Sequence, residues 1–140
     1  MIIRQISVFV ENKPGRLAEI TDIIAKNNIN IRALSIADTT NFGILRIIVD
    51  DADQLEKILK ENEITISVTG VISVCVEDKP GGLAKILKTL AAENIDIEYM
   101  YAFVSKKTAD KAYVIMRIEE ELKAMEILKK AGYEGLNIEL

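Results

Sequence analysis

Two short segments carry the residue types and spacing that could do chemistry. They are Glu11-Asn12-Lys13-Pro14-Gly15-Arg16-Leu17-Ala18 and Glu77-Asp78-Lys79-Pro80-Gly81-Gly82-Leu83-Ala84. A Pro-Gly turn that opens a helix is suited to binding rather than to breaking bonds. Pro fixes φ near −65° and so aims the turn, while Gly lets the backbone come close to a ligand. The free amides of a helix start, together with the helix dipole, seat an anion. The usual catalytic side chains are scarce: the chain has no His and one Cys, Cys75. His-based acid–base catalysis and Ser–His or Cys–His nucleophilic catalysis are therefore excluded. The same shortage leaves no ligand set for Zn, Cu or haem, so no metal and no cofactor are expected. One Cys closes no intramolecular disulfide.

The remaining composition narrows the partners. Of 140 residues, 49% are apolar, enough for a core built from Ile, Leu, Val and Ala, since aromatics are 5% and Trp is absent. The net charge is −4, and Lys and Arg are scattered along the chain. A phosphate backbone needs concentrated positive charge, so a nucleic-acid partner is not expected. Met1-Ile2-Ile3-Arg4-Gln5 does not read as a signal peptide, and no apolar run reaches the roughly 20 residues that span a bilayer. A soluble, cytoplasmic protein without a membrane partner is expected.

The elements that must position these segments come in duplicate. Residues 6–36 and 72–102 are identical at fifteen of 31 positions, with Pro80 and Gly81 following Pro14 and Gly15 by 66 residues. This is a duplication. It predicts two modules, 1–69 and 70–140, joined near Gly70 without a Pro- or Ser-rich linker. In the first module, residues 2–10 read as a strand and 16–27 as a helix, with Leu17, Ile20 and Ile24 on one stripe. Asn27-Asn28 ends that helix. Residues 29–37 and 43–49 read as strands about a turn at 38–41. A second helix starts at Asp50-Asp51 and buries Leu55, Ile58 and Leu59, and 64–69 is a short last strand. The second module repeats the series, with strands near 71–77, 96–104, 111–118 and 135–140 and helices near 82–93 and 120–131. Lys106–Asp110 forms a longer hairpin tip, and Gly132 lies where a helix C-cap is expected. Strand, helix, two strands, helix, strand is the ferredoxin-like arrangement, an antiparallel α+β sheet with both helices on one face.

A strand, then E-[N/D]-K-P-G-x-L-A, then a helix and N-I-[N/D]-I, resembles the ACT domain. Asn28-Ile29-Asn30-Ile31 and Asn94-Ile95-Asp96-Ile97 complete the pattern, and the resemblance covers essentially the whole chain. It implies a stand-alone tandem ACT protein, one that binds an amino acid or similar small ligand and regulates a metabolic enzyme or transcription factor. In that family the ligand lies between two modules, against the loop from first strand to first helix. The resemblance thus implies an amino-acid carboxylate near the amides of Gly15, Arg16 and Leu17 and an ammonium at Asn12. Gly81, Gly82, Leu83 and Asp78 are their counterparts. Asn30, and with it Asp96, matches a position that reaches the ligand from a partner module. A site pairing one repeat's loop with the other repeat's second strand, and a homodimer, are the resulting expectations.

The two copies differ where the ligand would lie. Asn12, Arg16 and Asn30 stand against Asp78, Gly82 and Asp96. Amides serve either end of an amino acid, whereas aspartates favour the ammonium and repel the carboxylate. Gly82 is expected to leave more room than Arg16. Other readings stay open at this point. Pro14-Gly15 and Pro80-Gly81 serve equally as plain turns, Asn12 and Asp78 as turn caps, and Cys75 as a small buried hydrophobe. The alternatives for the whole chain are a ligand-free ACT pair that only assembles, and an acylphosphatase-like enzyme. The loop does not match that enzyme family's loop, and the second copy lacks its Arg.

Overall fold

Ile6, Val8 and Val10 alternate with Ser7, Phe9 and Glu11, a period of two that makes the first strand one-sided. The computed structural model describes residues 1–38, 41–104 and 109–136. It contains β1 (Ile2–Glu11), α1 (Arg16–Lys26), β2 (Ile31–Asp38), β3 (Phe42–Val49) and α2 (Ala52–Glu61). There follow β4 (Ile66–Glu77), α3 (Gly82–Ala92), β5 (Tyr99–Val104), β6 (Lys111–Arg117) and α4 (Glu121–Lys130). This is the expected α+β, ferredoxin-like pair. Among the described residues the chain divides into two compact units, one of Arg4–Thr69 and one of Met1–Ile3 together with residues 70–136.

In the first unit β3 lies between β1 and β2, antiparallel to both. Val8 faces Leu45, which faces Ile36; Val10 faces Gly43, which faces Asp38. On the helix side, Ile6, Val8, Leu45 and Ile47 meet Ile20 and Ile24 of α1 and Leu55 and Leu59 of α2 in one core. Phe9 N donates to Thr65 O at 3.1 Å on the remaining side of β1.

The second unit repeats the plan. β6 lies between β4 and β5, with Val74 facing Val114, which faces Ala102. Ile72, Val74, Ile86, Leu90, Val114 and Leu128 form its core. The far side of β4 is shared. Ser73 N donates to Met1 O at 2.8 Å and Cys75 N to Glu134 O at 2.7 Å. The buried Ser73 hydroxyl also donates to Met1 O and accepts from Leu136 N. Gly135 must be glycine here, because a Cβ would stand 2.6 Å from Met1 Cα. These bonds explain why Met1–Ile3 belong with residues some seventy positions away.

Three expectations are corrected. The strands expected at 64–69 and 71–77 are one twelve-residue strand, β4, which runs through Gly70 without a break. Leu17, expected in the buried stripe of α1, is 37% exposed; Ile20 and Ile24 alone are buried. β2 and β5 begin at Ile31 and Tyr99, later than 29 and 96, because residues 28–29 and 94–95 belong to helix caps. Of the last expected strand, residues 137–140 lie outside the described residues, as do Thr39 and Thr40 of the turn and Lys106–Thr108 of the hairpin tip.

Those caps account for half of the repeated motif. Among the described residues all four helices end in a left-handed residue, Asn28, Glu63, Asn94 and Gly132, with φ of 56°, 58°, 58° and 88°. After α1, Asn28 N donates to Ala25 O and Ile29 N to Ile24 O; after α3, Asn94 N donates to Ala91 O and Ile95 N to Leu90 O. This is the Schellman arrangement, in which the residue past the cap turns an apolar side chain back onto the helix. Ile29 and Ile95 are accordingly buried. Asn tolerates the left-handed conformation better than most residues, so Asn-Ile ends these helices for a backbone reason.

Candidate functional site

The two Pro-Gly loops have the same backbone. Lys13 N donates to Glu11 O at 2.8 Å and Arg16 N to Lys13 O at 3.3 Å; Lys79 N donates to Glu77 O and Gly82 N to Lys79 O, both at 3.0 Å. Gly15 and Gly81 are the helix N-caps at φ 83° and 86°, a conformation only glycine adopts without strain. A Cβ at either would meet nothing within 4 Å, so these glycines are fixed by φ and face open space. Neither helix has a side-chain cap, whereas Asp51 caps α2 by accepting from Gln54 N at 3.0 Å.

The first amides of a helix lack intrahelical acceptors. Arg16 N is satisfied by Lys13 O, which moves the expected anion seat from Gly15–Leu17 toward the amides of Leu17 and Ala18. By the same reasoning the second loop offers Leu83 and Ala84. Around each loop the charges are arranged alike. Lys13 pairs with Glu11 and Lys79 with Glu77, each at 2.6 Å and on the surface. Each lysine holds its glutamate below the ordinary carboxylate value, first by a hydrogen bond and then by charge; Arg16 adds to the effect on Glu11, and Lys111 and Lys85 to that on Glu77. Arg16 Nη1 is bonded to Glu19 at 3.1 Å.

The surroundings of the loops differ. In the first unit a cavity of about 280 Å³ is lined by Val10, Glu11, Asn12, Lys13, Pro14, Leu17, Ile36 and Gly43. A shallower hollow of about 410 Å³ holds Glu11, Lys13, Gly15, Arg16 and Glu19. In the second unit a cavity of about 500 Å³ includes Glu77, Gly82, Lys85, Lys111, Tyr113 and Gly132, with Cys75 in its wall. Gly82 does not open space as the sequence suggested. A Cβ there would collide with the carbonyl oxygen of Glu77, so the loop is drawn in against the helix start.

Of the expected site residues, Asn12, Gly15, Arg16 and Leu17 gather at the first loop. Asp78, Gly81, Gly82 and Leu83 gather at the second, Gly82 alone among them lining the cavity. Asn30 and Asp96 stand apart from their own unit's loop. Asn30 precedes Ile31, which pairs with Val49, while the loop follows Glu11, which pairs with Phe42. Seven residues of β3 separate those rows, about 23 Å at roughly 3.3 Å per residue. Ile36 and Gly43, which are not among the expected site residues, also line the first cavity; Leu34 and Ile36, on one side of β2, are both close to half exposed, and no sequence signal marks them. Among the described residues no three His, Cys, Asp or Glu side chains group as metal ligands would, and no helix is long and apolar enough to cross a membrane.

The family model of an ACT domain pair matches residues 1–136. The chain belongs to the ACT family. A protein from Bacteroides thetaiotaomicron is similar to this chain at 43% identity, over 97% of this chain and 92% of its own, with a TM-score of 0.91. The regulatory subunit of aspartate kinase from Thermus thermophilus, in a ligand-free form, shares the fold at 19% identity, covering 94% of this chain and 95% of that one, with a TM-score of 0.63. A structure of aspartokinase alpha and beta subunits aligns at 25% identity over 94% and 96% of the two chains, with a TM-score of 0.58. No curated protein matches. Within this ACT pair the Pro-Gly loops and Asn-Ile caps recur in both units, so the duplicated features are those that set the start and the end of α1 and α3.

Proposed function

We propose that this ACT pair is a regulatory protein, not an enzyme, that binds a free amino acid at a Pro-Gly loop and converts occupancy into a change in the association of modules or chains. The observation that carries this reading is the pair of uncapped helix starts at Gly15 and Gly81, each facing open space. A carboxylate seated on the amides of Leu17 and Ala18 is held by charge-assisted bonds and by the helix dipole. The side-chain oxygen of Asn12 accepts from the α-ammonium; Asp78 has that role at the second loop. Asn30 and Asp96 do not reach their own unit's loop. In a homodimer they complete a site on the partner chain.

The ligand acts only through a difference in affinity between two arrangements of the assembly. The effect then passes to a separate metabolic enzyme or regulator. The test is thermal unfolding against each of the twenty amino acids at millimolar concentration. A ligand present at 100 times its Kd stabilises the folded form by about 2.7 kcal/mol, a rise of several degrees in Tm. One amino acid, or one chemical group of them, is expected to stand out. No shift with any of the twenty overturns amino-acid binding and leaves the ligand-free assembly.

A further inference from the structure

The proposal concerns the part of the ligand that distinguishes one amino acid from another, and it rests on the reading that the first loop binds an amino acid. Leu17 gives its first-turn amide to the anion seat and its side chain to the cavity beside it. On the helix side of the sheet that cavity continues over Val10, Gly43 and Ile36. Ile36 shares a face with Leu45 because the two are paired, and Leu45 is fully buried in the core. Yet Ile36 is 48% exposed and Leu17 37%, so α1 stops short of covering this corner. Three polar side chains also line the cavity, Asn12 and the mutually paired Glu11 and Lys13, all at the turn from β1 to α1; Val10, Pro14, Leu17 and Ile36 are apolar. Over Val10, Gly43, Ile36 and Leu17 a polar ligand side chain would lose water without a side-chain partner, which costs free energy, whereas an apolar one gains by burial.

We propose that the first unit takes an amino acid with an apolar side chain, lodged between Leu17 and Ile36, and that Gly43 sets how large that side chain can be. A Cβ on Gly43 would lie 3.5 Å from Ile36 Cγ2, 3.6 Å from Ala37 O and 4.0 Å from Asn12 Oδ1. These are ordinary contacts, so the glycine is not needed by the fold; it keeps the floor of the cavity deep. The second unit differs in the matching rows, with a methyl group in place of the glycine and a smaller side chain in place of the isoleucine. The pairing of β4, β5 and β6 places Ala112 where Gly43 stands and Ala102 where Ile36 stands.

The experiment compares near-isosteric pairs by calorimetry on the full chain: valine with threonine, leucine with asparagine. The apolar member of each pair is expected to bind at least tenfold more tightly, since an apolar pocket rejects an added hydroxyl by up to about 100-fold. Gly43→Ala is expected to keep the ligand-free Tm and to weaken the larger apolar ligands about tenfold, with little change for alanine. Ile36→Asn, at a half-exposed position, is expected to abolish the preference within each pair. A polar member that binds as tightly as its apolar partner overturns the proposal while leaving amino-acid binding intact. So does a Gly43→Ala protein with an unchanged order of preference. Absence of binding by every amino acid overturns the underlying reading as well. Altered self-association of the Ile36→Asn chain without altered selectivity assigns the patch to a second copy instead.

Discussion

The two Pro-Gly loops share the backbone bonds that close the turn and open the helix, and the same glycine φ, yet their neighbours have diverged. Around the first, the cavity wall is mostly apolar, with Glu11, Asn12 and Lys13 from the turn, and the helix begins with an arginine that the turn leaves room for. Around the second, the cavity gathers two lysines, two tyrosines and a cysteine, and the helix must begin with glycine because a carbonyl fills the place of a side chain. What a duplication keeps, then, is the conformation that presents the amides. What it releases is the surface around them.

The largest expected effect tests the shared part. Ile20 and Ile86 occupy matching positions on α1 and α3 and are both fully buried. Ile20→Ala and Ile86→Ala each remove buried methyl groups from a closed core, and each is expected to cost about 2–5 kcal/mol by denaturant unfolding. The comparison predicts similar costs. A difference of more than about 2 kcal/mol would mean that one unit relaxes around the cavity and the other does not.

Much of this symmetry was legible in the sequence, because strand and helix periods are local and a repeat reinforces them. The buried stripes of α2 and the Gly132 cap emerged where the pattern put them. Other features depend on what comes near in space. Gly70 reads as a join, since glycine weakens a strand, but β4 is long enough to carry it. Nothing in Met1-Ile2-Ile3 shows that it lies beside Ser73. Leu17 has helical spacing and looks like core, yet its end of α1 overhangs the edge strand. Gly43 and Ile36 line the first cavity because β2 is an edge, which no local pattern records. Asn30 and Asp96 adjoin the repeated motif in sequence, but strand polarity carries them to the opposite end of the sheet from their own loops.

A smaller effect sharpens the contrast between the helix starts. Gly82→Ala forces a methyl group into the Glu77 carbonyl and is expected to destabilise by about 1–3 kcal/mol, the usual cost of overpacking. That clash outweighs the better helix propensity of alanine, worth at most about 1 kcal/mol. Arg16→Ala at the matching position is expected to stay within about 0.5 kcal/mol of the parent, because its pair with Glu19 lies at the surface. Urea unfolding of the two variants decides this. Equal and negligible costs would show that the second loop shifts freely and that its glycine has no steric origin.

The smallest expected effect lies in the surface charges, where the two loops are closest in chemistry. Glu11 and Glu77 both titrate below the ordinary carboxylate value because a lysine two residues on donates to the ionised form. A carboxyl whose pKa is lowered in the folded state adds stability above its unfolded pKa, and that contribution disappears as pH falls through the folded pKa. Both groups are fully exposed, so solvent screens the pairs and the effect on stability is slight. The titration itself is measurable by side-chain carboxyl NMR. Lys13→Ala is expected to return Glu11 nearly to its ordinary value, leaving only the weaker influence of Arg16. Lys79→Ala is expected to leave Glu77 still lowered by Lys111 and Lys85, which reach it from β6 and α3. If both glutamates recover equally, the lysines around the second loop do not act on its carboxylate. The electrostatic difference between the units would then be one of composition without consequence at the loop.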